Sequence, residues 1–214
     1  MKLALSWFGQ FRISAVVWIA LVSPAIAANN FVQVRLPHGV RIELPRNWEA
    51  LSKNQRVTLD SFVQSHNERA GIFDASSDLN FGANYYDEEG KAAAIMNVRY
   101  YPDVDISQAD ARAAGVADIR ELDAALRQSI VTSGQIYGFS VLAWSGTTKQ
   151  VFNGIAAFVT DYKRSPGNNN GNFNVRLVRV FNREKSFTLT VSYRENQDYL
   201  MRPICDRIAY SVRY

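Results

Sequence analysis

The stretch FNVRLVRVFNREKSFTLTVSYR, residues 173–194, contains two runs in which apolar and polar side chains alternate. In the second run the apolar positions are Phe187, Leu189, Val191 and Tyr193. Alternation with a period of two is typical of a β-strand that buries one face. We therefore predict strands over 173–182 and 186–194. The short polar segment between them predicts a tight turn, and hence an antiparallel pair.

The same pattern recurs toward the N-terminus and predicts three further strand pairs. Residues 31–44 alternate on both sides of Pro37-His38-Gly39, which is typical of a β-hairpin. Strands are also expected over 80–86 and 92–101, joined by a polar turn at 87–90 that we expect to be fully solvated. The last predicted pair covers 139–147 and 155–163.

Three segments have the spacing of amphipathic helices. The first covers residues 52–70. The second begins at Ser107, which forms a capping arrangement with Asp110, and we expect it to kink or split at Gly115 and to end at Gly134. In the third, one apolar stripe carries Met201, Cys205, Ile208 and Val212. Pro203 is tolerable only in the first turn of that helix.

The predicted order of elements is ββ-α-ββ-α-ββββ-α. Successive hairpins imply an α+β fold in which a mainly antiparallel β-sheet is flanked by helices. The chain has 214 residues, and 47% of them are hydrophobic. We see neither a repeat nor a linker, so we predict one domain over residues 28–214.

Two features of the sequence resemble the PsbP-like fold, which includes exported bacterial proteins. The first is the step from a strand through Pro45 to Trp48, in the sequence IELPRNW of residues 42–48. The second is the closing unit of two long strands over 175–193 and a helix over 203–212. The resemblance implies an antiparallel sheet flanked by helices, and a binding or assembly factor rather than an enzyme. It assigns no functional residue.

The N-terminus predicts export. Lys2 and Arg12 precede the apolar run ISAVVWIALV of residues 13–22, and small residues follow. We predict that residues 1–27 are a signal peptide cleaved between Ala27 and Ala28. A membrane anchor is the alternative, but the apolar run has half the length of a bilayer span. The mature protein is expected to be soluble, without a transmembrane anchor, and periplasmic or secreted. Without Lys2 and Arg12, 22 basic residues face 20 acidic ones, which argues against nucleic-acid binding.

The sequence offers little for catalysis or metal binding. Cys205 lies on the apolar stripe of a helix, and His38 and His66 are the histidines available as bases. We predict no catalytic residue, no cofactor and no His/Cys metal site. Calcium at Asp103 and Asp105 stays open, because the segment has the first ligands of a calcium loop but lacks its glycine and its final glutamate.

Two polar features are candidate binding sites. The first is one face of the C-terminal sheet, where we place Arg99, Arg176, Thr188, Thr190 and Ser192. This face is either solvated, which we favour, or lines a groove between sheet and helix. The second is the loop SPGNNNGN of residues 165–172, with Asn168, Asn169 and Asn170.

These observations predict a non-catalytic binding or assembly module of the bacterial cell envelope, whose partner is an envelope protein. Two alternatives stay open. The chain could carry a small ligand, or it could be an enzyme whose site is built from scattered residues.

Overall fold

The computed structural model describes residues 30–69, 79–101, 106–166, 171–182 and 186–214. These residues form strands β1–β9 and helices α1–α4. In chain order the elements are β1 (Phe31–Arg35), β2 (Arg41–Pro45), β3 (Glu49–Ala50), α1 (Lys53–Arg69), β4 (Leu79–Tyr86), β5 (Ala92–Tyr100), α2 (Gln108–Ala113), α3 (Val116–Tyr137), β6 (Phe139–Phe152), β7 (Ile155–Pro166), β8 (Phe173–Val180), β9 (Phe187–Arg194) and α4 (Asp198–Tyr210).

Strands β3–β9 form a seven-stranded antiparallel sheet in the order β3-β4-β5-β9-β8-β7-β6. The pair β1–β2 is a separate two-stranded hairpin. The predicted α+β fold and its antiparallel sheet flanked by helices are confirmed. The differences from the predicted order are the short strand β3 and the division of the second helix into α2 and α3.

One face of the sheet, called the α4 face below, is covered by α4 and by the hairpin β1–β2. Its core joins side chains of all three layers in one cluster. Ile208 of α4, Ile42 of β2 and Leu189 of β9 are each at most 1% exposed. Burying an aliphatic side chain of this size contributes about 1.5–3 kcal/mol. This continuous cluster is therefore the main source of stability.

The opposite face, called the α1–α3 face, is covered by α1, α2 and α3 and holds two smaller clusters. Phe158 of β7 packs beneath α2, and Val175 of β8 packs against Ile130 of α3. Polar contacts also attach these helices. Asp60 of α1 accepts hydrogen bonds from the main chain of Leu79 and from the side chain of Arg99.

The start of α2 confirms the predicted cap. The Ser107 hydroxyl accepts from the Asp110 main-chain N–H, and the Asp110 carboxylate accepts from the Ser107 N–H. Gly115 then separates α2 from α3, so the splitting alternative is correct.

The predicted end of this helix at Gly134 is wrong, because α3 continues to Tyr137 and ends at Gly138, which adopts the left-handed conformation. Gly134 lies inside the helix, where a Cβ atom would come within 2.5 Å of the Phe139 carbonyl oxygen. The glycine thus permits a close approach of helix and strand.

The predicted position of Pro203 in a first turn is also wrong. Helix α4 begins at Asp198, and Pro203 lies in its second turn. Proline has no N–H to donate to the carbonyl of Tyr199 four residues earlier. Tyr199 is 97% exposed, so water can replace the missing hydrogen bond.

The turn at 87–90 differs from the expected solvated tip. The Asp87 carboxylate accepts from the main-chain N–H groups of Glu89 and Lys91 and forms an ion pair of 2.8 Å with Arg194. The Lys91 hydrogen bond is the largest of the causes that lower the pKa of Asp87. This turn is therefore anchored to β9.

The end of α4 is tied to β2. The Glu43 N–H donates to the Ser211 hydroxyl at 2.7 Å, and Arg41 and Arg213 exchange both of their main-chain hydrogen bonds. The hairpin and α4 thus close the α4 face together.

Candidate functional site

A cleft of about 230 Å³ opens on the α4 face, between α4 and the halves of β7 and β8 that lie nearest the 165–172 loop. We call it the Arg176 cleft. It is lined by Ala143, Ser145, Asp161, Tyr162, Lys163, Asn174, Val175, Arg176, Tyr193, Arg202, Cys205 and Asp206.

The cleft arises from a change of polarity along two paired strands. Val159 pairs with Val178, and both side chains belong to the apolar core. Two residues further along the same face, Asp161 pairs with Arg176. Because successive side chains alternate between the faces of a strand, these pairs share one face. The α4 face therefore turns from apolar to polar within one step of its alternation.

Arg176 lies at the centre of an ion-pair network. Its Nε and one terminal nitrogen donate to both oxygens of Asp161, at 2.8 and 2.9 Å. Its other terminal nitrogen donates to Asp206 at 2.6 Å and to the Tyr210 hydroxyl at 3.2 Å. The hydrogen bond to Asp161 raises the pKa of Arg176 most, so the guanidinium remains charged.

The pKa of Asp206 is shifted in the opposite direction from that of a typical carboxylate in an ion pair. Its burial raises its pKa, and the nearby Arg176 charge offsets part of that shift. The guanidinium therefore favours the ionised form of this partly buried carboxylate.

Asp198, at the start of α4, organises the wall beside Arg176. Its carboxylate accepts from Asn174 at 3.0 Å, from the Tyr193 hydroxyl at 2.8 Å and from Arg202, one turn further along the helix. The Arg202 hydrogen bond is the main cause that lowers the pKa of Asp198. The two sides of the cleft are thus joined by fixed polar contacts.

A second polar group lies toward the 165–172 loop. Glu195 forms an ion pair with Lys163 and accepts from the Asn172 amide at 2.9 Å. The predicted loop residues Asn168, Asn169 and Asn170 lie outside the described residues. Asn172, which follows them, connects the end of this loop to the cleft wall.

Cys205 forms part of the lining but is only 2% exposed, as its position on the apolar stripe predicted. Burial raises the pKa of its thiol, so the thiolate needed for nucleophilic attack is disfavoured. Among the described residues that line the cleft, none is a histidine. His38 lies in the β1–β2 hairpin against Tyr100, with ring centroids 4.8 Å apart.

The structure separates the residues that we placed on one polar face. Thr188 pairs with Arg99 in β5 and with Arg179 in β8, and this row lies on the α1–α3 face. Arg176 pairs with Val191, so it lies on the opposite face. The shared face is therefore wrong for Arg176 and correct for Arg99, Thr188, Thr190 and Ser192.

The favoured solvated environment is also wrong for this row. Thr188 is 6% exposed and Ser192 is 2% exposed, because the helices of the α1–α3 face cover them. Arg99 donates to Asp60 of α1 at 3.0 Å, and the Thr188 hydroxyl accepts from Arg179 at 3.3 Å. The Arg99 contact therefore attaches α1 to the sheet.

Several predicted positions lie outside the described residues: Ala27, Ala28, Asp103, Asp105 and the side chain of His66. Within the described ranges, no group of three or more His, Cys, Asp or Glu side chains has the arrangement of a metal site. In the same part of the chain, none of the helices has the length and apolar character that crossing a bilayer requires.

Sequence reasoning missed most of the cleft. The signal for Asp161 is a single acidic residue in the otherwise uncharged run IAAFVTDY of β7. Asp198, Arg202 and Asp206 recur at intervals of four, which places them on one side of α4. An acidic interruption in a strand and a charged stripe on a helix that covers it together indicate such a cleft.

The comparisons with known proteins concern the fold. No protein-family model matches the chain, and no curated protein matches its sequence. The solution structure of PsbP (CyanoP) from the cyanobacterium Synechocystis sp. PCC 6803 is similar, with a TM-score of 0.54 and 12% identity over 86% of this chain and 92% of that chain. The fold is PsbP-like. The resemblance inferred from the sequence is confirmed at the level of fold.

A second similar structure is that of LpqN from Mycobacterium tuberculosis, which is described as involved in cell envelope biogenesis. Its TM-score is 0.44 at 12% identity, and the match covers 89% of this chain and 95% of that chain.

Proposed function

We propose that residues 28–214 form a non-catalytic binding module that acts after export, and that the Arg176 cleft is its recognition site for an envelope protein. The observation that carries this proposal is the network of Arg176, Asp161 and Asp206. It holds charged groups of both signs in fixed positions beside an open recess. Prearranged polar groups reduce the entropy that binding costs.

The contacts of the cleft support recognition more than chemistry. The carboxylates of Asp161 and Asp198 are engaged with Arg176, Arg202 and their neighbours. A general base needs a free lone pair directed at the substrate, and a nucleophile needs an activated thiol or hydroxyl. The buried thiol of Cys205 meets neither requirement.

Crosslinking in intact cells tests this proposal. A photoreactive amino acid at position 202, on the exposed rim, is expected to capture one envelope protein reproducibly. The same amino acid in place of Gln128, an exposed residue of α3, is the matched control and should not capture it. Identical partners from both positions would contradict recognition by the cleft.

A blocking variant tests the same site without a crosslinker in it. Ser145→Trp places a large side chain in the cleft from the exposed side of β6. Val151→Trp is the control, because Val151 is 64% exposed on the same strand but is not a lining residue. We expect Ser145→Trp alone to reduce partner recovery by at least about tenfold, equivalent to about 1.4 kcal/mol.

A small-ligand carrier is the second candidate, because the cleft volume of about 230 Å³ approaches that of small-molecule sites. Native mass spectrometry of the protein from its own cells distinguishes the two candidates. A bound small molecule that Ser145→Trp removes and Val151→Trp retains would establish the carrier and replace the protein-partner proposal.

Export has a separate test. Intact-mass measurement of protein from the envelope fraction is expected to give a chain that begins at Ala28. An uncleaved chain that stays with membranes would instead establish the membrane-anchor alternative.

A further inference from the structure

A second recess lies on the α1–α3 face, where α2 and the first turns of α3 cross β7 and the end of β8. It has a volume of about 400 Å³. We call it the α2 groove. Apart from two carboxylates, its lining is apolar: Ile106, Ala111, Ala113, Ala114, Leu122, Phe158 and Phe181. Pockets for small molecules and large side chains typically have volumes of about 300–1,000 Å³ and a mainly apolar lining.

The groove is held in place by side chains that bind the main chain. The Gln108 amide donates to the carbonyls of Ala156 and Phe181 and accepts from the Ala156 N–H. On the other side of α2, Arg112 donates to the carbonyl of Gly154 at 2.7 Å. Helix α2 has six residues, so these contacts fix a segment that is too short to be stable alone. The shape of the groove is therefore prearranged.

Charge distinguishes the possible occupants of the groove. Both of the carboxylates in its lining, Asp110 and Asp118, are on exposed residues. Each also accepts a hydrogen bond that caps its helix, from the N–H of Ser107 and of Gly115 respectively. Arg179 of β8 lies over the Phe181 ring of the floor and donates to Thr188.

The two nearby cations on α2 and β6 are turned to carbonyl oxygens. Arg112 binds Gly154, as described above, and the Lys149 ammonium donates to the carbonyl of Arg112 at 2.8 Å. Both charged side chains among the described residues that line the groove are carboxylates at its rim, and its floor is apolar. Anionic amphiphiles such as fatty acids are disfavoured at such a rim, whereas cationic amphipathic segments are favoured.

We propose that the α2 groove docks a segment of a partner protein in which large apolar side chains are flanked by Lys or Arg. The apolar side chain enters above Phe158 and Phe181, and the flanking cation lies near Asp110 or Asp118. Anchoring of this kind combines burial of an apolar residue with charge complementarity at the rim. The groove is on the opposite face from the Arg176 cleft, so this proposal does not depend on the function of the cleft.

Fluorescence anisotropy with two labelled peptides tests the chemistry of the occupant. The basic peptide KLFKKLFK is expected to bind the purified protein, and its binding should weaken as salt is added. The acidic peptide ELFEELFE should bind at least about tenfold more weakly. Equal binding of both peptides, or no binding of the basic one, would overturn the proposal. Oleate that competes with KLFKKLFK at equal concentration would show a lipid site instead.

Three variants locate the binding. Ala113→Trp fills the groove and should weaken KLFKKLFK binding by at least about tenfold, whereas Ala125→Trp, at an exposed position of α3, should leave it unchanged. Asp118→Asn keeps an acceptor for the Gly115 N–H but removes the charge, and should weaken binding about two- to fivefold. Circular dichroism confirms that each variant is folded. Unchanged binding by folded Ala113→Trp would exclude the groove.

Discussion

The two faces of the seven-stranded sheet are built differently. The α4 face is one continuous apolar cluster that joins Ile42, Leu189 and Ile208 across three layers. The α1–α3 face has two smaller clusters, and its helices are also held by polar side chains such as Gln108 and Asp60. The first face therefore supplies most of the stability. The second can present a groove because its helices are not buried in a continuous core.

The α4 face itself is divided. Most strand positions on this face carry valine, leucine or methionine, whereas Asp161 and Arg176 line the cleft beside α4. The comparison thus predicts different costs for equivalent substitutions in different regions.

The largest difference is expected between two leucines. Leu189→Ala, at a position 0% exposed on the α4 face, should lower the free energy of unfolding by about 4 kcal/mol, because the surrounding core cannot collapse into the cavity. Leu126→Ala on α3, 6% exposed, should cost about 2 kcal/mol, because a surface helix can move toward the gap. Urea denaturation measures both. Equal losses would show that the two faces are equally well packed.

The next effect concerns Arg176. Arg176→Met should cost about 2–3 kcal/mol at neutral pH, because it leaves Asp161 and Asp206 partly buried without their cation. Arg202→Met is the matched control, and its 62% exposed side chain predicts a cost of about 0–1 kcal/mol.

The pH dependence of Arg176→Met has a defined sign. Burial already raises the pKa of Asp206, and loss of Arg176 raises this pKa further. A raised carboxyl pKa means that the folded state is favoured when the group is protonated and loses stability as pH rises through that pKa. The deficit of Arg176→Met should therefore shrink as pH falls toward about 4. A deficit that grows on acidification would contradict this origin.

A smaller effect is expected at the contact of α3 with β6. Gly134→Ala should cost about 1–3 kcal/mol, since its Cβ would clash with the Phe139 carbonyl oxygen at 2.5 Å. At Gly115, the N-cap of α3, a Cβ would meet only Asp118, at 3.7 Å, so Gly115→Ala should cost only about 0.5–1 kcal/mol, because alanine is a poorer N-cap than glycine. Thermal unfolding of both variants checks this, and a neutral Gly134→Ala would mean that helix and strand separate easily.

The smallest effect belongs to Asp198. Asp198→Asn should cost less than about 1 kcal/mol at neutral pH, because the Arg202 side chain of this ion pair is 62% exposed. The pKa of Asp198 is lowered, so its contribution is present above the unfolded-state pKa and is lost as pH falls through the folded-state pKa. Wild type and variant should therefore converge in acid. Unfolding measured across the acidic range tests the convergence.

Alternation and turn residues were sufficient to predict most of the strands, the antiparallel sheet and the cap at Ser107. They were not sufficient to assign Arg176 to a face. Val180 pairs with Phe187, and this register sets every later pair, including Arg176 with Val191. A shift of one residue in that register would move Arg176 to the face of Thr188. The pairing register of β8 with β9 decides the face, and composition does not specify this register.

The cleft was missed for a related reason. Asp161, Arg176 and Asp206 come from three elements, and each alone resembles an ordinary surface charge. The end of α3 was misplaced because a glycine can stop a helix or permit a close contact, and only the position of Phe139 distinguishes these roles.

The hydrogen bond between Glu43 and Ser211 joins residues 168 positions apart. A polypeptide that emerges N-terminus first from a ribosome or a translocation pore has its opening hairpin long before α4 appears. Until then the apolar side of the sheet stays uncovered, and contacts of such long range form slowly. The chain should therefore complete its folding only after Ser211 has emerged.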